Sequence, residues 1–326
     1  MSATLETVDT APRYYQTFHP DTHAVRAELE QGLCAPNAWV PPKFLYDPLG
    51  SCLFGAITQL PEYYPTRTEQ AIMARYADEI AQRVGGVGAL IDLGAGDCVK
   101  AERLFGRLCP RQYVPVDIST EYLRGAVARL HAGYPGLDIV ALGQDFSHTL
   151  SLPEDVLDDG RLFFYPGSSI GNWSPEQALG MLRQVREACG ERGGSLLIGV
   201  DRVKDERTLV RAYDDALQVT AAFNRNLLLH LNRVLRADFA LADWRHLACF
   251  DAARSRVEMH LQANAPVTVN WPGHSREFSA GETIHTECSY KYEPTDFAAL
   301  LDAAGFNDIA HWTDAQGWFS VFHARA

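Results

Sequence analysis

Gly88-Ala-Leu-Ile-Asp-Leu-Gly-Ala-Gly96 is an apolar run that leads directly into two glycines, and it predicts a buried strand followed by a tight turn. Residues 101–108 predict a helix, and residues 112–118, Gln-Tyr-Val-Pro-Val-Asp-Ile, predict a second strand with Asp117 near its end. Asp117 lies 21 residues after Gly96. This order of strand, glycine turn, helix, strand and acid is typical of a nucleoside site in an open α/β sheet, where the carboxylate binds ribose hydroxyls.

The segments that follow extend this unit into a sheet. Apolar runs at 137–142, 161–166 and 194–200 alternate with predicted helices, for example one at 120–133. Such alternation predicts a parallel sheet with helices on both faces and right-handed crossovers. We therefore predict the α/β fold class, with a doubly wound, Rossmann-like sheet.

The pattern changes after the fifth strand and predicts a second lobe. Residues 206–235 predict a long helical stretch, and residues 246–262 and 266–291 alternate as strands do. Two closing strands, at 309–312 and 317–323, are expected to return the chain to the first sheet. We predict a discontinuous core domain of residues 68–202 and 292–326, and an α+β substrate lobe of residues 14–67 and 203–291.

Residues 41–67 interleave aromatic residues, prolines and a few charges without a clear period. This pattern predicts a loop-rich segment that lays Tyr46, Tyr63 and Tyr64 over a pocket, or else an aromatic packing cluster between the lobes. The following residues, 66–84, predict one helix.

Composition restricts the class of protein. The chain has 326 residues, of which 47% are hydrophobic, and this suits large buried cores and argues against disorder. The net charge of −12, without a basic run, argues against a nucleic-acid partner. The seven cysteines are scattered without a C-x-x-C pair, so we expect reduced thiols and no metal site. Without a signal-peptide core or an apolar run of about 18 residues, we expect a cytoplasmic protein without a membrane span.

The glycine turn discriminates between two classes of nucleoside ligand. A dinucleotide fingerprint has the pattern G-x-G-x-x-G, and here Val99 replaces the third glycine. Asp97 would also repel a pyrophosphate at the N-terminus of the helix. A nucleoside without phosphate is acceptable, and S-adenosylmethionine is therefore favoured over NAD. Asp145 and Phe146 follow the third strand and support this choice, because a carboxylate accepts from the adenine amino group while an aromatic ring covers the base.

Longer motifs outside this core carry a family resemblance. They are Leu60-Pro-Glu-Tyr-Tyr-Pro-Thr-Arg67, Gly167-Ser-Ser-Ile-Gly-Asn172, Leu209-Val-Arg-Ala-Tyr-Asp-Asp-Ala216, Val219-Thr-Ala-Ala-Phe-Asn-Arg-Asn226 and Thr286-Glu-Cys-Ser289. From about Tyr14 to its end, the chain resembles the histidine-specific Nα-methyltransferases of ergothioneine biosynthesis. The resemblance implies a class I methyltransferase domain joined to a substrate lobe. It also implies that S-adenosylmethionine gives three methyl groups to the α-amine of free L-histidine, through mono- and dimethyl forms, to yield trimethylhistidine (hercynine).

The resemblance also implies roles for individual residues. The cofactor contacts it implies are Tyr46, Gly94, Lys100, Asp117, Asp145 and Phe146, with Asp117 on the ribose and Asp145 on the adenine. Gly167 would lie beside the transferred methyl group, and Asn172 and Tyr213 would hold the amine and carboxylate of the amino acid. The implied imidazole contacts are Tyr63, Met259, Glu287 and Ser289. The run Asp97-Cys98-Val99 departs from the family's small polar loop, which leaves only the loop contacts open. We expect a monomer whose partner is a small molecule.

The residue types at these positions suit methyl transfer to histidine. An ionised Glu287 only accepts hydrogen bonds, while the Ser289 hydroxyl can donate, so the pair matches the donor and acceptor nitrogens of a neutral imidazole. No strong base is evident, and water is expected to carry the amine proton away, since the nearby sulfonium lowers the amine pKa.

Three alternatives stay open at this point. A methyltransferase of the same family could act on another amino acid such as tryptophan, although an acidic Glu287 favours imidazole over indole. A NAD-dependent oxidoreductase is disfavoured by the missing third glycine. A non-catalytic sensor would keep the same pocket, and the presence of Asn172 and Tyr213 argues against it.

The predicted ribose contact is testable by substitution. Asp117→Ala should weaken S-adenosylmethionine binding by about 10- to 100-fold, because a charged hydrogen-bond acceptor is lost, and histidine binding should change much less. Isothermal titration calorimetry with each ligand measures both affinities. Unaltered cofactor affinity would mean that the strand-end carboxylate is only solvated.

Overall fold

A computed structural model describes residues 10–16, 22–146 and 149–326. Thirteen strands occur among the described residues: β1 (Arg13–Gln16), β2 (Ala89–Leu93), β3 (Gln112–Asp117), β4 (Asp138–Gly143), β5 (Arg161–Tyr165), β6 (Ser195–Asp201), β7 (Trp244–Asp251), β8 (Arg256–Ala263), β9 (Val267–Trp271), β10 (His274–Phe278), β11 (Thr283–Tyr290), β12 (Asn307–Thr313) and β13 (Phe319–Arg325). The α-helices of the same residues are α1 (Thr22–Leu33), α2 (Pro48–Ile57), α3 (Tyr64–Arg75), α4 (Ala77–Val84), α5 (Val99–Leu108), α6 (Thr120–Gly133), α7 (Pro175–Ala188), α8 (Glu206–Tyr213), α9 (Val219–Leu235) and α10 (Pro294–Ala303). Short 3-10 helices lie at Pro42–Leu45, Ser169–Asn172 and Leu241–Asp243.

An eight-stranded mixed sheet forms the centre of the molecule. Its order is β1-β4-β3-β2-β5-β6-β13-β12. Strands β1 to β6 pair in parallel, whereas β13 pairs antiparallel with both β6 and β12. The order reverses at β2, and the carboxyl edge beside such a reversal is where open α/β sheets bind ligands. The predicted α/β fold class with a Rossmann-like sheet is confirmed, and the closing hairpin does return to it.

Helices cover both faces of this sheet because its central strands are apolar throughout. All five residues of β2 are buried, and the same holds for all seven of β6. Residues of α3, α4, α5 and α6 pack with the sheet in one apolar cluster, and residues of α7 and α10 pack with it in another. Strands buried on both faces are the ones that a sequence shows as continuous apolar runs.

A third apolar cluster gathers the elements outside the sheet. It contains residues of α1, α2, α8 and α9 together with residues of the three-stranded sheet β11-β8-β7 and the hairpin β9-β10. Polar ties join α2 to α9: the buried Asp47 caps α2 by accepting from Gly50 N at 2.7 Å and also accepts from Asn226 Nδ2 at 2.7 Å. The residues of this cluster correspond to the predicted substrate lobe. The exact boundaries of that lobe stay a prediction.

Two local expectations were wrong, and one strand was not predicted. Residues 41–67 are not loop-rich, because Asp47 and Pro48 start helix α2 and the apolar side of α2 packs on α9. The single helix expected at 66–84 is two helices, which begin at Tyr64 and Ala77 on either side of a break at Tyr76. Strand β1 was missed, since four mostly exposed residues give little apolar signal; it pairs in parallel with β4 at the edge of the sheet.

None of the helices in the described part of the chain combines the length and the apolar character that a membrane-spanning helix requires.

A buried carboxylate joins α3 to the sheet. Glu69 is 3% exposed, and its two oxygens accept from Gly167 N at 2.7 Å and from Lys100 Nζ at 2.8 Å. Gly199 of β6 lies directly beneath it: a Cβ at this position would lie 1.9 Å from Glu69 Oε1 and 3.0 Å from the Phe319 ring. Glycine at residue 199 therefore leaves the space in which Glu69 reaches both partners.

Gly199→Ala should lower the free energy of unfolding by about 1–3 kcal/mol, because the added methyl group overpacks this site. Gly180→Ala is the matched control, since Gly180 lies in α7 and a Cβ there has no neighbour within 4 Å. Alanine in a helix interior should be neutral or stabilising by up to about 1 kcal/mol. Denaturant unfolding measures both changes, and a Gly199→Ala variant as stable as the wild type would contradict the argument.

Candidate active site

The glycine turn after β2 lies against the end of β3. Gly94 and Gly96 have φ angles of +69° and +54°, which glycine adopts without strain. Asp117 at the end of β3 accepts from Gly96 N at 2.9 Å and from Ser119 N at 2.8 Å. Burial raises the pKa of Asp117, and the backbone donors of Ser119 and Gly96 oppose this shift. The carboxylate thus fixes the turn, while each of its oxygens keeps a further lone pair for a ligand hydroxyl.

Asp97 occupies the N-terminus of α5. Its Oδ1 accepts from Val99 N at 3.1 Å, and its side chain is exposed. A carboxylate at a helix N-terminus is favourable, and it competes with any phosphate that would bind there. The geometry therefore agrees with the argument against a pyrophosphate ligand.

Two further predicted cofactor residues lie after β4. Asp145 Oδ2 pairs with Lys43 Nζ at 3.3 Å, and Phe146 meets Tyr165 edge-on with ring centroids 6.0 Å apart. Lys43 belongs to the 3-10 helix Pro42–Leu45, so this ion pair connects the segment before α2 to the carboxyl edge of the sheet.

Tyr46 reaches the same edge. Its carbonyl accepts from Ser119 Oγ at 3.1 Å, two residues after Asp117, and its ring contacts Phe54 and Phe223 edge-on. Burial raises the pKa of Tyr46 well above its ordinary value, and the neighbouring carboxylate of Glu287 raises it further. Tyr46 is therefore placed between the predicted cofactor residues and the predicted substrate residues.

Lys100 and Gly167 meet through Glu69, which the sequence analysis did not select. Gly167 has a φ of +78°, and a Cβ there would lie 2.8 Å from Lys100 Nζ. The close approach requires glycine at residue 167 and holds the loop after β5 against the first turn of α5. The signal for Glu69 was weak, because an acid in the first turns of a helix is common.

A β-bulge aims the predicted imidazole contacts. Ile284 of β11 pairs with Leu261 of β8, but the register shifts after His285 and Glu287 then pairs with Met259. Thr286 is the additional residue, and it changes which face the later residues occupy. Glu287 and Ser289 therefore share the inner face with the buried Ile284.

Glu287 is a buried carboxylate with an open acceptor. It is 6% exposed, and its Oε2 has no hydrogen-bond partner. Burial raises the pKa of Glu287 to about 7, and the Lys291 ammonium opposes this shift. Unpaired buried acceptors are destabilising and are uncommon in native structures, so a ligand N–H is the expected partner.

Aromatic residues surround Glu287 and Ser289. The Tyr63 ring lies edge-on to Tyr213 with centroids 6.2 Å apart, and the buried Met259 of β8 pairs with Glu287 of β11. Burial raises the pKa of both tyrosines well above the ordinary value, and Glu287 contributes to each shift. Both hydroxyls are therefore neutral donors at physiological pH.

The 3-10 helix Ser169–Asn172 packs against β11 and brings Asn172 to this group. A Cβ at Gly171 would lie 2.7 Å from the Tyr290 carbonyl and 3.4 Å from Ser289 Oγ. The Asn172 carbonyl accepts from Cys288 Sγ at 3.6 Å. Asn172, the predicted contact for the amine and carboxylate, therefore lies close to Ser289 in space, although 117 residues separate the two in sequence.

Behind Ser289 lies a buried polar network that the sequence analysis missed. Ser289 Oγ is 2.8 Å from the Tyr213 hydroxyl and 2.7 Å from Lys291 Nζ. Lys291 Nζ also pairs with Asp201 Oδ2 at 2.9 Å, and both side chains are fully buried. A signal for Lys291 was present, because residues 287, 289 and 291 alternate on one strand face.

Asp201 at the carboxyl end of β6 is the centre of this network. It accepts from Lys291, from Tyr64 Oη at 2.7 Å and from Lys204 Nζ at 2.7 Å. Burial alone would raise the pKa of Asp201, but Lys291 and Lys204 lower it below its ordinary value. The same network leaves Lys204 with a pKa of about 8, lowered by burial. Asp201 is therefore ionised throughout the physiological range.

One group of possible metal ligands exists in the described part of the chain, away from these residues. Cys249, Glu258 and His260 place ligand atoms within 4.8 Å of one another on the outer face of the three-stranded sheet. Glu258 already accepts from Arg256 and, at 2.9 Å, pairs with His260 Nε2. These bonds satisfy the carboxylate, and the absence of a metal cofactor stays a prediction.

Comparison with known proteins gives a consistent result. A family model described as histidine-specific methyltransferase, SAM-dependent, matches residues 25–326. A histidine N-alpha-methyltransferase of Mycolicibacterium smegmatis is 40% identical over 304 residues, which cover 91% of this chain and 94% of that protein. A protein of the same name from Mycobacterium tuberculosis is 38% identical, with the same coverage. Ergothioneine biosynthesis protein 1 of Neurospora crassa is 28% identical over 84% of this chain and 32% of its own length.

The buried Glu287 predicts a pH dependence of stability. A carboxyl group whose pKa rises from 4.5 in the unfolded chain to about 7 in the fold binds more protons when folded, so the free energy of unfolding falls as pH rises between these values. In the absence of ligands, Glu287→Gln should gain stability relative to the wild type across that interval, by up to roughly 3 kcal/mol. Urea unfolding at several pH values measures the difference. Parallel curves for the two proteins would contradict the shift.

Proposed function

This chain belongs to the family of histidine-specific, S-adenosylmethionine-dependent methyltransferases, and from that membership we propose that it methylates the α-amine of free L-histidine. Three transfers would give trimethylhistidine (hercynine), a step of ergothioneine biosynthesis. The names of the mycobacterial and Neurospora relatives support this substrate and pathway. The structural observation that supports it most directly is the buried, unpartnered Oε2 of Glu287 beside the hydroxyl of Ser289.

The imidazole end of the site explains selection of histidine. Glu287 would accept the N–H of a neutral imidazole, and Ser289 would donate to its other nitrogen. Tyr63 and Met259 would form the walls around the ring. A phenyl ring has no N–H and would leave the buried carboxyl group of Glu287 unpaired. An indole has an N–H but no acceptor nitrogen, so it would leave the Ser289 donor unpaired, and both rings would be rejected more strongly than their shapes alone require.

Asn172 and Tyr213 would hold the amino acid at the other end. Both are neutral, so they would fix the amine and carboxylate without stabilising the protonated amine. The reaction is an in-line displacement in which the amine lone pair attacks the methyl carbon as the bond to sulfur breaks. Correct alignment supplies roughly 7–11 kcal/mol of barrier reduction in such reactions, and no strongly basic side chain is required of the site.

S-adenosylmethionine would lie along the carboxyl edge of the main sheet and supply the methyl group. The residues proposed to hold it are Tyr46, Gly94, Lys100, Asp117, Asp145 and Phe146. The free lone pairs of Asp117 and the positive φ of Gly94 fit a ribose that approaches the backbone closely. Gly167 would face the methyl group through its backbone, since its position beside Lys100 leaves no space for a side chain.

A second acceptor is the main competing proposal. A relative named L-tryptophan methyltransferase, from Psilocybe serbica, is 24% identical over 94% of both chains. The acidic Glu287 favours histidine over tryptophan here. The expectations of a monomer, a cytoplasmic location and no nucleic-acid partner stay predictions from composition.

One incubation series tests the proposal. The protein is incubated with methyl-labelled S-adenosylmethionine and each free amino acid in turn, and the labelled products are separated by mass. Histidine and its mono- and dimethyl forms should be the only good acceptors. Turnover with tryptophan but not histidine would replace the proposed substrate, and no transfer to any amino acid would favour a sensor.

The carboxylate contact is tested by Glu287→Ala. Histidine binding should weaken by about 10- to 100-fold because a charged acceptor is lost, while S-adenosylmethionine binding should change little. Glu282→Ala is the matched control, since Glu282 precedes the same strand and pairs with Arg276 instead of facing the site. Calorimetry that shows unchanged histidine affinity in the Glu287 variant would remove this residue from the site.

A further inference from the structure

Lys291 uses all three of its N–H donors on buried groups. Its Nζ lies 2.9 Å from Asp201 Oδ2, 3.0 Å from the Tyr213 hydroxyl and 2.7 Å from Ser289 Oγ. A lysine ammonium has three donors and no acceptor, so these contacts saturate it. Lys291 is therefore available neither as a free charge for the substrate nor as a proton acceptor.

Of the two hydroxyl hydrogens of Ser289 and Tyr213, one has no acceptor among the described residues. Lys291 donates to both hydroxyl oxygens, and these oxygens are 2.8 Å apart, so one hydroxyl donates to the other. The oxygen that receives two hydrogen bonds has both lone pairs occupied, and its own hydrogen has no acceptor among the described residues. Because the Tyr213 hydroxyl donates to Ser289 Oγ, Ser289 is this oxygen. Its hydrogen is free to donate to a ligand, and the Tyr213 oxygen keeps one lone pair that can accept from the substrate amine.

We infer that Lys291 is a positioning residue that, by donating to Ser289 and Tyr213, fixes the Ser289 hydroxyl as a hydrogen-bond donor toward the acceptor nitrogen of the substrate imidazole. This inference rests on the proposed histidine substrate. Without the ammonium, both hydroxyls regain free lone pairs and can rotate to accept as well as donate. The site would then lose its fixed donor polarity, and discrimination for an unprotonated ring nitrogen would weaken.

Asp201 compensates the charge of Lys291, and a second lysine on the same carboxylate provides the control. A buried ammonium without a counter-charge would lose its proton, and Asp201 supplies that charge at 2.9 Å. Lys204 bonds to the same carboxylate at 2.7 Å and is also buried, but its other contacts are Tyr64 Oη and the Arg202 carbonyl. Two lysines thus share one carboxylate, and only Lys291 contacts Ser289 and Tyr213.

The test compares Lys291→Met with Lys204→Met. Either variant leaves Asp201 paired with the remaining lysine, so the two variants carry the same buried charge and neither leaves Asp201 without a counter-charge. Lys291→Met should raise the KM for histidine by about three- to tenfold, up to the full contribution of the neutral Ser289–imidazole hydrogen bond, and leave the KM for S-adenosylmethionine within about twofold. Lys204→Met should leave both KM values within about twofold. An equal rise in histidine KM for the two variants would overturn the inference, because it would indicate a purely structural role.

A double-mutant cycle tests whether Lys291 acts through the hydroxyl. The variants are Lys291→Met, Ser289→Ala and their combination, and the readout is the histidine KM. Because Ser289→Ala removes one hydroxyl that Lys291 orients, Lys291→Met should have a smaller effect in the Ser289→Ala background. Fully independent, additive effects would overturn the inference.

A substitute variant and a wild-type control distinguish failure of this inference from failure of the proposed function. If Lys291→Met does not fold, Lys291→Gln is measured in its place, with a rise in histidine KM expected as well, because an amide at this position can accept as well as donate and no longer fixes the donor. The wild-type protein runs in parallel. Absence of histidine methylation by the wild type would overturn the proposed function and this inference with it. A wild type that methylates histidine, with an unchanged KM in the Lys291 variant, would overturn this inference alone.

Discussion

The buried carboxylate of Asp201 requires compensation by positive charge. The residues that compensate it come from different parts of the chain, and the site is assembled around them. Asp201 ends β6 at the carboxyl edge of the main sheet, and its counter-charges are Lys291, which follows β11, and Lys204. Tyr64 from the first turn of α3 donates to the same carboxylate. Among the described residues the ion-pair partner of Lys291 is Asp201, so displacing the two from each other would leave a buried ammonium without a paired carboxylate. The position of β11 relative to the main sheet therefore depends on this contact.

The β-bulge in β11 determines which side chains of this strand face the site. If Thr286 were an ordinary strand residue instead of a bulge, strict alternation from Ile284 would turn Glu287 and Ser289 toward the outer face, where Glu258 and His260 lie. With the bulge, both residues join the apolar inner face. Bulges beside functional sites commonly re-aim side chains in this way. Helix α9 lies against this sheet, where Asn224 Oδ1 accepts from the hydroxyl of Thr286 at 2.7 Å.

The two ends of the site differ in how completely their polar groups are satisfied. At the proposed cofactor end, Asp117 and Glu69 have protein partners for each oxygen, and these bonds stabilise the glycine turns that would face the ligand. At the proposed substrate end, Glu287 keeps Oε2 unpaired and a pKa raised to about 7 by burial. Unsatisfied buried groups are concentrated at binding sites because the ligand completes them. The substrate end is thus less stable than it could be in the absence of ligand, while the cofactor end is preorganised.

The sequence by itself determined the α/β core and the class of chemistry. The signals for them are local: continuous apolar strands, the turn at Gly94 and Gly96, and the missing third glycine at Val99. Such signals can be recognised from the periodicity and the spacing of residues alone. Motif resemblance, and not periodicity, identified Asn172, Tyr213, Glu287 and Ser289. Helix α2 was missed because residues 41–67 show no clear period, although Asp47 and Pro48 are a local signal for a helix start. The contact of Asp47 with Asn226, which is 179 positions away, is not visible in any local pattern.

Only the tertiary structure decided how the selected residues are oriented. The bulge in β11 is defined by pairing with β8, and the partners of Asp201 lie 137 residues before it at Tyr64 and 90 residues after it at Lys291. Alternation within β11 placed Lys291 on the face of Ser289, but nothing local showed that its counter-charge would be Asp201. Charge compensation inside a protein is a property of residues that meet in space, since the energy of a buried ion depends on every group around it and not on its neighbours in sequence.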